Sequence, residues 1–134
     1  MKTFNLITLS LLGLLSAATS HAAEPKGQVL VLLSSENQLA LKDGKHYTTG
    51  YYLNEFGVPA DQLLKAGYEL VLVTPKGNAP SVDKTSLDPM YFAGDAAEMQ
   101  RIQQVVSGLS GIDDSLSLQE VLASDLDQYE GLLI

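Results

Sequence analysis

Gln28-Val29-Leu30-Val31-Leu32-Leu33 and Tyr68-Glu69-Leu70-Val71-Leu72-Val73 decide the fold. Each is a short, nearly continuous run of valine and leucine. Such runs read as strands buried on both faces, as in a parallel sheet. Between them Tyr51 to Ala66 reads as helical, interrupted at Gly57-Val58-Pro59, with Pro59 suited to the first turn of a new helix. Leu63, Leu64 and Ala66 offer an apolar face, and Gly67 suits the left-handed position after a helix end. A strand, a helix and a strand in this order form a crossover unit, which makes the two strands parallel.

Outward from this unit the signals are more local. Leu41 to Thr49 contains Asp43-Gly44 and reads as a loop, with His46 in it. Thr74-Pro75-Lys76-Gly77-Asn78-Ala79-Pro80 is rich in turn residues. Asp95 to Ser107 reads as a helix with Met99, Ile102, Val105 and Val106 facing the core. Ser117, with Glu120 three residues on, forms a capping box for a short helix over Leu118 to Ala123. Gly131-Leu132-Leu133-Ile134 opens a third strand. The expected architecture is α/β, a flavodoxin-like parallel sheet with flanking helices, truncated at the third strand. On that reading Leu132, Leu133 and Ile134 lack cover, as does one face of Val29, Val31, Leu70 and Leu72, and the chain is expected to fold poorly alone.

The N-terminus reads as a signal peptide. Lys2 precedes an apolar run from Leu6 to Leu15, and Ser20 and Ala22 are small residues in cleavage positions. The run is about half of the ~20 residues that span a bilayer, so a stable membrane anchor is not expected. The expected division is a signal peptide over 1–22 and one domain over 23–134, with the product periplasmic or secreted. The chain has no cysteine, so no disulfide braces it in an oxidising compartment. A thiol nucleophile and a thiolate metal site are excluded within these 134 residues. The net charge of −8, with eight scattered Lys and Arg, argues against nucleic acid as a partner. No metal site is expected either, because past the signal peptide His46 is a lone histidine among scattered carboxylates. No Walker loop, G-x-G-x-x-G or G-x-S-x-G motif is present.

Gln28 to Ser35 resembles the first strand and loop of the ThiJ/PfpI superfamily, which has a class I glutamine amidotransferase-like fold. Thr49-Gly50-Tyr51-Tyr52-Leu53-Asn54-Glu55-Phe56-Gly57-Val58-Pro59 resembles the family stretch that carries a Thr-Gly, a Glu and a Pro in order. Ala66 to Glu69, Thr74 to Gly77, Asp83, Ser86 and Leu126 to Ile134 continue the likeness. It covers nearly all of the chain past residue 22 and about the first half of a family domain. It points to the branch with glutathione-independent glyoxalases and heat-shock chaperones.

The resemblance implies a thiol-dependent site in which Glu55 is the catalytic carboxyl, sharing a proton with a nucleophilic Cys on a later strand-to-helix elbow. It implies no cofactor, a small reactive carbonyl such as methylglyoxal or a related hydrolase or amidase substrate, and leaves a homodimer open. The Cys and its neighbouring His are absent here, so whether the chain is itself an enzyme stays open and it is expected to be inactive as given. The alternatives are a non-enzymatic, chaperone-like or stress-associated binding protein and a non-functional truncated fragment. Local sequence alone also allows Glu55 as a solvated helix carboxylate, and Tyr51, Tyr52 and Phe56 as core rather than pocket.

Overall fold

The computed structural model describes residues 24–134, so the proposed signal peptide lies outside the described residues. Strand β1 (Gln28–Leu32) lies at the centre of the sheet. A hairpin follows, made of β2 (Gln38–Ala40) and β3 (His46–Thr48), then helix α1 (Leu53–Lys65) and strand β4 (Glu69–Thr74). Helix α2 (Ala96–Ser107), strand β5 (Leu116–Ser117), helix α3 (Leu118–Leu122) and strand β6 (Tyr129–Leu133) complete the order. No helix among the described residues is long and apolar enough to cross a membrane.

The main sheet is four-stranded in the order β5-β4-β1-β6, and every neighbouring pair is parallel. Val29 pairs with Leu70 on one side and Gly131 on the other; Val31 pairs with Leu72 and Leu133. The expected third strand is therefore present as β6, but the sheet holds one strand more. The two residues of β5 extend it past β4, where Val73 pairs with Leu116.

Helices α1 and α2 pack on each other and cover one face of the sheet. Val29, Val31, Leu70 and Leu72 are buried there with Phe56, Ala60, Ile102 and Val106. This corrects the expectation that those four strand residues lack cover on one side. It also qualifies the idea of strands buried on both faces: Leu30, Leu32 and Val71 alternate with them and are only half-buried. At β6 and just beyond it Leu132 is 57% and Ile134 86% exposed, whereas Leu133 is half-buried and packs against the core, which corrects the expectation that it lacks cover.

Three local readings change. Leu41–Thr49 is not a loop throughout: β2 and β3 pair antiparallel, with Leu39 opposite Tyr47 and Ala40 opposite His46, so His46 sits on a strand. Asp43 and Gly44 both take positive φ at its tip, the geometry that an Asp-Gly pair favours in a hairpin. Second, α1 is not interrupted at Gly57-Val58-Pro59 but runs through Pro59. Pro59 has no amide to give the Glu55 carbonyl, which weakens the helix there. Burial of Phe56, Gly57 and Ala60 against the neighbouring elements keeps it continuous. Third, the buried face of α1 uses Leu53, Phe56, Gly57 and Ala60, while Leu64 and Ala66 are exposed.

The ends of α1 are built differently. At the C-terminus the Tyr68 amide donates to the Leu63 carbonyl (3.1 Å) and the Gly67 amide to Leu64 (2.9 Å), a Schellman closure with Gly67 at φ +92°. In the C-terminal half of the helix Asp61 ties α1 to α2. The Arg101 guanidinium grips its carboxylate with two bonds (3.0 and 2.8 Å), and Lys65 adds a third at 2.7 Å. Arg101 also bridges to Glu98 in its own helix. Asp95 caps α2, and Ser117 and Glu120 form the expected capping box on α3.

Candidate functional site

In an open parallel sheet, ligands bind beyond the carboxyl ends of the strands, where successive crossovers leave in opposite directions. Here the chain leaves β1 toward β4 and later returns to the other side of β1 as β6, so the reversal falls between β1 and β6. A crevice of about 190 Å³ opens there. Val31 and Leu33 form its floor at the end of β1, and Leu133 and Ile134 form a wall at the end of β6. Gly50, Tyr51, Tyr52, Glu55 and Phe56, at and just before the start of α1, close the opposite side.

Glu55 is the residue that the resemblance singled out, and it lies in this crevice. Its side chain is exposed in the first turn of α1. Phe56 is buried in the core, and its ring meets that of Tyr51 edge-on with centroids 5.1 Å apart. Tyr51 and Tyr52 are half-buried and line the crevice, so both readings of the aromatics hold in part: Phe56 serves the core and the crevice, and the tyrosines form a wall. Burial pushes the Tyr51 phenol above its ordinary value. Tyr52 is raised too, by burial first and then by Tyr91, whose ring stands edge-on at 5.4 Å. Both phenols are therefore neutral at pH 7 and can donate hydrogen bonds.

The entry into α1 is fixed from a distance. The residue before the helix, Tyr52, contributes no side-chain cap. Instead Ser86 Oγ accepts the Leu53 amide at 2.9 Å, and its own hydroxyl donates to the Asp83 carbonyl at 2.6 Å. The Tyr51 amide donates to the Ser81 carbonyl (2.8 Å) and the Asp83 amide to the Tyr51 carbonyl (2.9 Å). Gly50 is where the two segments touch most closely: a Cβ there would stand 1.9 Å from the Ser81 carbonyl oxygen.

The Asp83 carboxylate gathers the surrounding donors. It accepts from the Tyr47 hydroxyl (3.0 Å), the Thr49 hydroxyl (3.3 Å) and the Thr85 amide (2.9 Å). Burial raises its pKa, but these hydrogen bonds outweigh burial and hold it below the ordinary carboxylate value. Asp83 and Ser86, which the sequence offered only as further points of likeness, thus have a structural part beside the crevice. His46, by contrast, is exposed on the hairpin and does not line the crevice.

The arrangement supplies one carboxyl group, two neutral phenols and an apolar floor. Those groups can orient a small polar molecule and exchange a proton with it. They include no nucleophilic thiol, since no residue of the chain is cysteine.

No family model matches the chain, and no curated protein matches it. Among solved structures it is similar to glyoxalase III from Candida albicans, at 25% sequence identity and a TM-score of 0.54, over 79% of this chain and 41% of that one. It is also similar to the Rapid Encystment Protein 24 KDa of Francisella tularensis, at 17% identity and a TM-score of 0.49, over 79% of this chain and 42% of that one. The chain thus spans about two-fifths of the length of these structures. The parallel sheet, its order and the likeness to glyoxalase III agree: this chain has a ThiJ/PfpI-like fold, resembling the glyoxalase over part of that protein's length.

Proposed function

We propose that this chain is an exported, glyoxalase-like protein whose crevice forms the Glu55 side of a site for small reactive carbonyls. The observation that carries the reading is the position of Glu55, beside Tyr51 and Tyr52 at the β1/β6 reversal. A two- or three-carbon carbonyl fits a crevice of about 190 Å³. The phenols donate to its oxygens, and the Glu55 carboxyl is placed to exchange a proton with an adjacent carbon or hydroxyl. Covalent thiol catalysis needs a nucleophile, and the chain contains none. The 134 residues therefore bind and orient without turning substrate over.

The test has two arms. In nuclear magnetic resonance titrations with methylglyoxal, amides over residues 50–56 and Leu133 should shift, and Glu55→Ala should abolish the response. Shifts confined to distant residues would refute the site. In a turnover assay the purified chain should form no lactate from methylglyoxal above a buffer control. Turnover that survives purification and disappears in Glu55→Ala would overturn the inactive reading. A second reading, a non-enzymatic binding protein, draws support from an apolar groove of about 560 Å³ beside β6, which includes Val29, Leu63, Tyr68 and Leu132. Apolar dye binding that competes with unfolded polypeptide but not with methylglyoxal would favour it.

A further inference from the structure

We propose that Ser86 is a positioning residue for Glu55, acting as the N-terminal cap of α1 from outside the helix. The proposal rests on the reading of the crevice as the site, and its test is arranged so that the two can fail separately.

A helix start leaves backbone amides without partners inside the helix, and a side-chain oxygen just before the helix ordinarily takes one of them. In α1 that position is Tyr52, whose side chain makes no such bond. The Leu53 amide goes instead to Ser86, thirty-three residues away, and Ser86 is 0% exposed. The serine is in turn locked: its hydroxyl donates to Asp83, whose carboxylate is held by Tyr47, Thr49 and Thr85. Backbone bonds on either side of Tyr51 complete the clasp.

Glu55 is two residues past the capped amide, in the same turn, so the direction of that turn sets where its carboxyl stands in the crevice. Tyr51 and Tyr52, which line the same side of the crevice as Glu55, lie inside the clasp itself. A single buried hydroxyl therefore fixes both the carboxyl and the phenols relative to the ends of β1 and β6. The far end of α1 has an independent anchor, the Asp61–Arg101 pair. That anchor makes a matched control, because loosening it weakens the helix without touching the clasp.

The experiment compares Ser86→Ala, Tyr47→Phe and Asp61→Asn in the whole chain. The first readout needs no ligand: amide hydrogen exchange at Leu53 and Phe56, and the proton–proton contact between the Tyr51 and Phe56 rings. Ser86→Ala should speed exchange at these amides at least fivefold relative to Asp61→Asn, which is the size expected for loss of a helix cap, and should weaken the ring contact. Tyr47→Phe, an exposed substitution that removes one donor to Asp83, should give a smaller change in the same direction and covers the case in which Ser86→Ala does not fold. The second readout is the methylglyoxal titration, in which Ser86→Ala should weaken the response at least fivefold and Asp61→Asn should leave it within twofold of the parent.

Equal exchange in Ser86→Ala and Asp61→Asn, or no change at the ring contact in either Ser86→Ala or Tyr47→Phe, would overturn the positioning role. If the parent chain gives no methylglyoxal response while the exchange and ring-contact results come out as expected, the reading of the ligand fails and the positioning of Glu55 stands.

Discussion

Replacing Gly57 by alanine sets two effects of similar size against each other. Gly57 lies inside α1, where glycine costs about 1 kcal/mol relative to alanine, so on propensity alone the change stabilises by that amount. The structure opposes it. A Cβ at Gly57 would stand 2.4 Å from Ile102 Cγ2 and 3.0 Å from Val106 Cγ2 on α2. Both methyls belong to β-branched side chains, which are stiff about χ1. Ile102 and Val106 are both buried, so neither can swing into solvent. Relief requires α1 and α2 to separate, and overpacking of this kind costs about 1–3 kcal/mol. The net expectation is destabilisation by about 0–2 kcal/mol, or a few degrees in Tm for a domain of this size. Urea denaturation of the parent and Gly57→Ala, followed by circular dichroism, measures it. Ile102→Leu removes the nearest branched methyl, so the double variant should recover at least about 1 kcal/mol of coupling between the two positions. A Gly57→Ala protein more stable than the parent, with no coupling to position 102, would refute the contact.

Gly50→Ala should be worse, because the new methyl meets backbone rather than side chain. Loss of the two backbone bonds around Tyr51 should cost about 1–3 kcal/mol and abolish the amide shifts at residues 50–56. Stability should fall in acid. The Arg101 guanidinium first, then Lys65, holds the Asp61 carboxyl well below its ordinary value. Its contribution is therefore intact above about pH 4 and is lost as pH falls through the depressed native pKa. The urea midpoint should be flat from pH 7 to 5 and drop below pH 4, less steeply in Asp61→Asn; an equal slope in the variant would count against the pair. We propose that residues 1–22 are cleaved on export, so intact mass should give Ala23 as the first residue, whereas Met1 retained in a membrane fraction would contradict the signal peptide.

The parallel unit was legible because β1 and β4 are unbroken apolar runs and α2 repeats its apolar residues at helical spacing. The hairpin was not, because β2 and β3 have three exposed residues each and carry no burial pattern. β5 has two residues and owes its existence to β4 beside it. Pro59 misled for a different reason: its local cost is real, and packing of α1 against α2 and the sheet overrides it. In the crevice, Glu55 was identified through the family resemblance alone, since nothing in its neighbours sets it apart from any helix carboxylate. The Ser86 cap was beyond reach, because a hydrogen bond spanning thirty-three residues leaves no local trace.

The close approach at Gly57 also makes α1 an unequal lever. With a rise of ~1.5 Å per residue, Glu55 sits about 3 Å along the axis from that fulcrum and Lys65 about 12 Å on the other side. A rocking motion that carries the Lys65 end through 2 Å moves Glu55 by roughly 0.5 Å. The Asp61 ion pairs with Lys65 and Arg101 hold the long arm of that lever, and the Glu55 carboxyl lies on the short one. By that ratio, a rigid rotation of α1 about Gly57 displaces the crevice end about fourfold less than the charged end.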